Sequence, residues 1–176
     1  MLVKRYVAII LFLTLIGLVV WQNHQLRSEK KSAKEYVANG AHMASKYLLS
    51  VGTTFESINK ENQWDDLRMR SSQRMWLAYT YQSLIDANKA WQFYEFVPGS
   101  SKQNINDVFF SFLDWYGEAM DILEKEGAIS KENKGFLLEL SHITSKVDLP
   151  EKSNDFNGMS DLFEHLSMEW KSIDND

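Results

Sequence analysis

The residues with the clearest chemical spacing are Glu139 and His142, which stand three positions apart in a segment expected to be helical. Di-iron four-helix bundles use such a Glu-x-x-His pair twice, with two further inward glutamates. This sequence has one copy. On a helix, Leu140 and Ile143 mark the buried side, and His142 points well away from it. We therefore interpret the pair as part of a solvated helix face, and we predict no metal or other cofactor.

The other ionisable residues do not form a recognisable site either. His24, His42 and His165 have no ligand-type spacing around them, so each is interpreted as a surface or rim residue. Five acids crowd one predicted helix and the turn after it: Asp114, Glu118, Asp121, Glu124 and Glu126. They fall largely opposite or beside an aromatic stripe and form no calcium-binding loop. Cysteine is absent, as are the common nucleophile and nucleotide motifs. No catalytic residue is predicted.

Aromatic side chains are the most unusual chemical feature of the sequence. It contains six Trp, seven Tyr and ten Phe, and residues 75–85 carry no charge. The aromatic residues in this region are too many for one narrow core stripe. One interpretation buries most of them against other helices. The other exposes Trp76, Tyr79 and Tyr94 as a surface for a protein partner, or places them on the wall of a pocket between helices.

Long helices are predicted to carry these residues. Apolar side chains recur every three or four positions, prolines and glycines are few, and no segment alternates with period two. Predicted helices cover about 28–60, 62–96 and 104–126, with two shorter helices that begin at N-caps Ser130 and Ser160. Gly127 is predicted to stop the third helix. The expected fold class is all-α, an antiparallel bundle of about four helices with a short C-terminal helix packed on it.

An uncharged apolar run occupies residues 6–21. As a helix it would be about 24 Å long, which is slightly short of a bilayer core about 30 Å thick. We expect a short basic tail over 1–5 and a transmembrane signal-anchor helix over 6–22 that inserts into the lipid bilayer. Residues 23–60 are expected to form a membrane-proximal stalk and the first bundle helix, with the rest of the bundle in 61–176.

The residues that flank the apolar run support this prediction. Lys4 and Arg5 precede it, and Tyr6 and Trp21 stand at its ends, where interfacial aromatic residues belong. A cleaved secretory signal is an alternative, but the residues after the run are bulky where cleavage needs small ones. A buried core helix is another. Basic residues also follow the run, yet a short tail before a long acidic domain favours a cytoplasmic N-terminus.

Charge is distributed unevenly along the chain. The net charge is −5, and residues 23–60 hold six basic and three acidic side chains, whereas 61–176 hold 11 and 21. A basic segment beside the bilayer suits anionic lipid headgroups. The acidic body argues against nucleic-acid binding, which requires clustered Lys and Arg.

Three hypotheses of function follow from these features. The leading one is a non-enzymatic, single-pass protein of the cell membrane whose extracytoplasmic helical domain binds a protein partner in an envelope-associated complex. A small-ligand sensor with a pocket between helices is the first alternative, and a helical protein secreted after signal cleavage is the second. An enzyme would need two inward carboxylates, or a histidine and a carboxylate, in one cleft. The helix over 28–60 could also self-associate as a weak coiled coil.

Overall fold

Five α-helices make up the fold in the computed structural model, which describes residues 2–173, with side chains from residue 12 onward. They are α1 (Leu2–Lys60), α2 (Leu67–Phe93), α3 (Gly99–Glu124), α4 (Lys131–Thr144) and α5 (Phe156–Ile173). No strand occurs within the described residues. The predicted all-α class and the helical bundle are confirmed.

The chain divides into two compact units, one up to Tyr36 and one from Val37 onward. In the first unit, every residue from 12 to 32 is exposed, and Trp21 is among them. Over the residues that the structure describes, none of the helices has both the length and the apolar composition to cross a membrane. The transmembrane helix predicted over 6–22 is therefore not confirmed. The side chains of its other predicted flanks, Lys4, Arg5 and Tyr6, lie outside the described residues.

The turn between α1 and α2 shows why α2 begins later than predicted. Asn62 adopts a positive φ of 52°, a conformation that asparagine tolerates better than most residues and that ends a right-handed helix. The Asp66 carboxylate then accepts hydrogen bonds from the backbone N–H groups of Arg68 and Met69, at 2.8 and 3.4 Å. This N-cap sets the start of α2 at Leu67.

The later helix boundaries confirm one prediction and correct three. Ser130 caps α4, because its hydroxyl accepts from the Asn133 N–H at 3.1 Å. Gly127 adopts a φ of +89° in the turn before α4, but it does not stop the third helix, which already ends at Glu124 because its C-cap Lys125 is extended. The third helix starts at Gly99, directly after Pro98, and not at 104. Ser160 is not an N-cap, since α5 begins at Phe156.

The N-terminus of α5 is held by Asp155. Its carboxylate accepts from the Gly158 N–H at 3.0 Å, which is the hydrogen bond that an N-cap side chain provides. Ser160 lies one turn inside the helix, and its hydroxyl is 2.7 Å from that of Ser101 on α3. The helix has 18 residues, against 14 in α4. The C-terminal helix is therefore not the short one.

The directions of the helices follow from their cross-contacts. Antiparallel α2 and α3 are joined at opposite ends by the Arg74–Glu124 ion pair and by the Gln92–Lys102 hydrogen bonds. By contrast, α5 runs parallel to α3. Ser101 meets Ser160 near the start of both helices, and Asp107 meets Lys171 further along both.

From Val37 onward, α1 packs closely against the bundle. The Trp91 indole N–H donates to the Val37 carbonyl at 3.3 Å, and the Ser141 hydroxyl donates to the Gly52 carbonyl at 2.6 Å. A Cβ atom at Gly52 would lie 2.0 Å from the Thr144 Oγ1. Glycine is therefore required for the close approach of α1 and α4.

The bulkiest side chains of the core are aromatic. The largest fully buried side chains are Trp64, Trp91, Phe55, Phe112 and Phe163. The Trp64 indole N–H donates to the Asn59 side-chain oxygen at 3.0 Å, so this buried donor is satisfied. Much of the aromatic surplus thus fills the core.

A buried arginine joins the two loops at one end of the bundle. The Arg70 side chain is 3% exposed. Its guanidinium donates to the carbonyls of Trp64 at 2.6 Å, Lys125 at 2.8 Å and Gly127 at 2.6 Å, and it lies 3.3 Å from the Asp65 carboxylate. Because several planar donors point in fixed directions, one side chain satisfies carbonyls from two separate loops.

Candidate partner-binding surface

Three aromatic rings meet on the outer side of α1 and α2. The Tyr47 and Trp76 ring centroids are 5.9 Å apart, and Tyr79 packs edge-on against Trp76 at 6.0 Å. Trp76 is 39% exposed and Tyr79 is 54% exposed, and the exposed Met43 and Met75 flank them. We call these five residues the aromatic patch.

Helical phase places the aromatic patch at the surface. On α2, Leu77, Thr80 and Leu84 are buried, so residues 75, 76 and 79 point away from the core. On α1, Met43 and Tyr47 are four positions apart and share one face, beside the buried Ala44 and Leu48. The packing of the core thus holds the patch residues in place.

The patch carries little charge. On α2, no charged residue lies between Arg74 and Asp86. Arg74 is paired with Glu124 at 3.2 Å, and Asp86 accepts a hydrogen bond from Gln82 at 3.2 Å. On α1, the exposed Lys46 lies beside Tyr47 at the edge of the patch. Exposed aromatic and methionine side chains without charge are typical of the centre of a protein interface.

The structure brings together two of the three predicted patch residues. Trp76 and Tyr79 are in contact, whereas Tyr94 is the C-cap of α2, 18 positions after Trp76, or about 27 Å along a helix. Tyr94 is partly buried and packs against Phe93 and Phe96, with centroid distances of 5.1 and 5.0 Å. It belongs to the loop between α2 and α3.

Tyr47 and Met43 were not predicted to lie in the patch. Tyr47 continues the apolar spacing of α1, which makes it look like a core residue in the sequence. In the structure it is only half-buried, because it lies at the border between the core and the surface. Its spacing of four from the exposed Met43 is the signal that could have identified it.

A second region of interest is a cleft between α3, α4 and α5, with a volume of about 270 Å³. We call it the acidic cleft. It is lined by Ser111, Asp114, Trp115, Phe136, Glu139, Ile143, Trp170 and Ile173. A neighbouring, more open cleft of about 340 Å³ shares Glu139 and also contains His142.

The Glu139–His142 pair lines this neighbouring cleft. His142 is exposed, as its position on the helix predicted. Among the described residues, no group of three or more histidine, aspartate and glutamate side chains is arranged to hold a metal ion.

A clear pKa shift occurs at Asp107, which belongs to neither the aromatic patch nor the cleft lining. Burial alone would raise the pKa of this carboxyl group. Hydrogen bonds from Lys171, Gln103 and Ser167, together with the positive charge of Lys171, outweigh that effect and lower the pKa below its ordinary value. The shift therefore reflects a structural link between α3 and α5.

Comparison with protein-family models, curated proteins and solved structures finds no match to this chain. Function is therefore inferred from the chemistry of its surfaces.

Proposed function

We propose that this protein is a membrane-anchored, non-enzymatic helical domain that binds a protein partner through the aromatic patch. It would act as an accessory component of an envelope-associated complex. The observation that carries the proposal is the contact of Tyr47, Trp76 and Tyr79 on an exposed, nearly uncharged surface.

The residue types of the patch favour a protein partner. Trp and Tyr are enriched among the residues that contribute most to binding energy, and each presents a rigid apolar surface with a polar group at its edge. Met43 and Met75 add flexible side chains that adapt to an opposing surface. The expected partner surface is apolar at its centre and carries an acidic residue opposite Lys46.

The anchor is supported by the apolar side chains of the first unit. Large apolar residues from Phe12 to Trp21 are exposed on all sides of α1. Full burial of each such side chain is worth about 1.5–3 kcal/mol, which favours an apolar environment around the whole segment. Lys4 and Arg5 beside this run favour lipid and a cytoplasmic N-terminus, with the helical domain extracytoplasmic.

The anchor is tested with a matched pair of variants of the full chain. Leu13 and Leu26 are both exposed, but only Leu13 lies in the proposed span. We expect the intact protein to stay with membranes through an alkaline wash, and Leu13→Arg to release more of it than Leu26→Arg. Arginine at the centre of a span costs about 2.5–3.5 kcal/mol. Release of the intact wild-type protein, or equal effects of both variants, would contradict the anchor.

Partner binding is tested by a photoreactive aromatic residue at position 79 or 110. Phe110 on α3 is 50% exposed, close to the 54% of Tyr79, and lies outside the patch. In native membranes, we expect position 79 to give one discrete crosslinked product that Trp76→Ser abolishes, and position 110 to give none. Identical products from both positions would refute a specific surface. A product that contains two copies of this chain would assign the patch to self-association instead.

A further inference from the structure

A chain of aromatic rings runs from the core to the surface at the end of α2. The buried Trp91 stacks on Phe156 at 5.0 Å, and Phe156 contacts Phe96 at 6.0 Å. Phe96 stacks on Tyr94 at 5.0 Å, and Tyr94 meets Phe93 edge-on at 5.1 Å. Phe93 is 78% exposed, more than any other large hydrophobic side chain that the structure describes. We call Phe93, Tyr94 and Phe96 the aromatic loop.

The exposed ring of Phe93 is part of a larger apolar surface. Tyr94 and Phe96 are partly exposed, and Pro98 is exposed. The backbone holds this surface in place, because the N–H of the buried Val97 donates to the Tyr94 carbonyl at 3.2 Å. The aromatic loop therefore presents apolar side chains to its surroundings at fixed positions, as a surface does when it has a partner.

The chain enters the second unit at the end that carries the aromatic loop. Val37 is the first residue of this unit, and its carbonyl accepts the hydrogen bond from Trp91, two positions before Phe93. The turn at the other end of α2 lies 27 residues away, or about 40 Å along the helix. Of the two loops that α2 joins, the aromatic loop is thus the one close to the entry point of the chain.

The position and chemistry of the aromatic loop favour a lipid bilayer as its partner. Residues 23–36 connect Val37 to the proposed span over 6–22, so this end of the unit is tethered close to the membrane. Aromatic side chains are enriched at the boundary between headgroups and acyl chains, where the ring is in an apolar environment and a tyrosine hydroxyl stays hydrated.

The charge around the aromatic loop is compatible with a membrane surface. Residues 61–176 as a whole hold 11 basic and 21 acidic side chains, which anionic headgroups repel. Basic and acidic residues are equal in number close to the loop and in the segment that leads to Phe156: Lys89, Lys102, Lys152, Glu95, Glu151 and Asp155. This end of the unit can therefore approach an anionic bilayer without the repulsion that acts on the acidic body.

We propose that the aromatic loop inserts into the headgroup region of the bilayer, with Phe93 as its deepest side chain. This inference rests on the anchor of the proposed function and adds a second, reversible membrane contact. As a helix, residues 23–36 cover about 21 Å, whereas the headgroup region is only about 5–8 Å deep. Contact therefore requires the connecting segment to incline to the bilayer, as membrane helices do by up to about 40°.

The test uses single cysteines that carry a spin label, because the sequence contains no native cysteine. The full chain is reconstituted in vesicles of phosphatidylcholine and phosphatidylglycerol. Glu95→Cys reports on the aromatic loop, and Glu118→Cys removes the same charge from an exposed position on α3. Leu13→Cys reports on the proposed span. The measured quantity is the ratio of collision rates with oxygen, which concentrates among acyl chains, and with a nickel chelate, which stays in water.

The aromatic loop and the anchor give separate signals in this experiment. We expect the oxygen-to-nickel ratio at position 95 to be severalfold higher than at position 118 and lower than at position 13. Phe93→Ser should reduce the ratio at position 95 to the level of position 118. Phe110→Ser, which removes another exposed phenylalanine, should leave it unchanged.

Three results would overturn the inference. The first is an equal ratio at positions 95 and 118: the anchor then stands if position 13 is among the acyl chains, and fails as well if position 13 is in water. The second is an equal effect of Phe93→Ser and Phe110→Ser. The third is low collision rates with both reagents at position 95, which would indicate that a second copy of this chain covers the loop.

Discussion

Trp91 and Trp76 lie on the same helix and have opposite environments. Trp91 is fully buried, stacks on Phe156 at 5.0 Å and contacts Phe163 edge-on at 5.8 Å. Trp76 is exposed and contacts only Tyr47 and Tyr79 among the ring pairs of the described residues. Trp91 continues the seven-residue spacing of Leu77 and Leu84, whereas Trp76 is one position out of phase. A shift of one residue turns a core side chain into a surface one.

The comparison implies that the two tryptophans have different roles. A buried tryptophan contributes mainly to folding, because its loss leaves a cavity in the core. A tryptophan in an exposed, nearly uncharged patch contributes little to folding and is available for binding.

The largest loss of stability is expected from Trp91→Ala. It removes the contacts with Phe156 and Phe163 and the hydrogen bond to Val37, so we expect a loss of about 3–5 kcal/mol in the free energy of unfolding. Trp76→Ala should cost less than about 1 kcal/mol. Chemical denaturation of the full chain in mild detergent, followed by circular dichroism, measures both. Equal losses would show that the patch is part of the core.

A glycine pair extends the comparison to α1. A Cβ at Gly52 would meet Thr144 and the Leu140 carbonyl, whereas a Cβ at Gly40 meets no atom within 4 Å. Gly52→Ala should therefore destabilise the fold by about 1–3 kcal/mol. Gly40→Ala should be neutral or stabilising by up to about 1 kcal/mol, because alanine favours helix.

The contact with Thr144 provides the control for this prediction. Thr144→Ala removes the Oγ1 atom that a Cβ at Gly52 would strike at 2.0 Å. In the Gly52→Ala background it should restore part of the lost stability, which a double-mutant cycle from denaturation curves measures. Additive losses would contradict a direct steric clash.

The sequence predicts the helices, but it does not predict which face of α2 is buried and which is exposed. Residues 75–85 contain no charge that would mark the outer face, so Trp76 and Trp91 could not be assigned to surface and core in advance. The parallel pairing of α3 and α5 depends on contacts distant in the sequence, such as Asp107 with Lys171. The acidic cleft could not be predicted from the sequence for the same reason, because residues from three separate helices line it.

The smallest loss of stability is expected from a substitution of Asp107. This residue links α3 to α5 outside the aromatic core. Because folding lowers the pKa of this group, its contribution to stability is present above the unfolded pKa of about 3.9. That contribution is lost as the pH falls through the lower folded pKa. Asp107→Asn should therefore reduce stability by less than about 1 kcal/mol at neutral pH.

The pH dependence of unfolding separates this effect from a general loss of charge. The difference in stability between wild type and Asp107→Asn should shrink as the pH is lowered from 5 to 3. Asp86→Asn serves as the control, because Asp86 is exposed and accepts a hydrogen bond from the neutral side chain of Gln82. A difference for Asp107→Asn that is constant over this range would argue against the Lys171 interaction as its cause.

Oxidative footprinting of methionines tests the central claim most directly, that a partner covers the aromatic patch. Met43, Met75 and Met168 have similar exposure, and only Met168 lies outside the patch. In native membranes, we predict that Met43 and Met75 are oxidised severalfold more slowly than Met168, and that purification of the protein removes this protection. Equal oxidation of all three in native membranes would contradict the account.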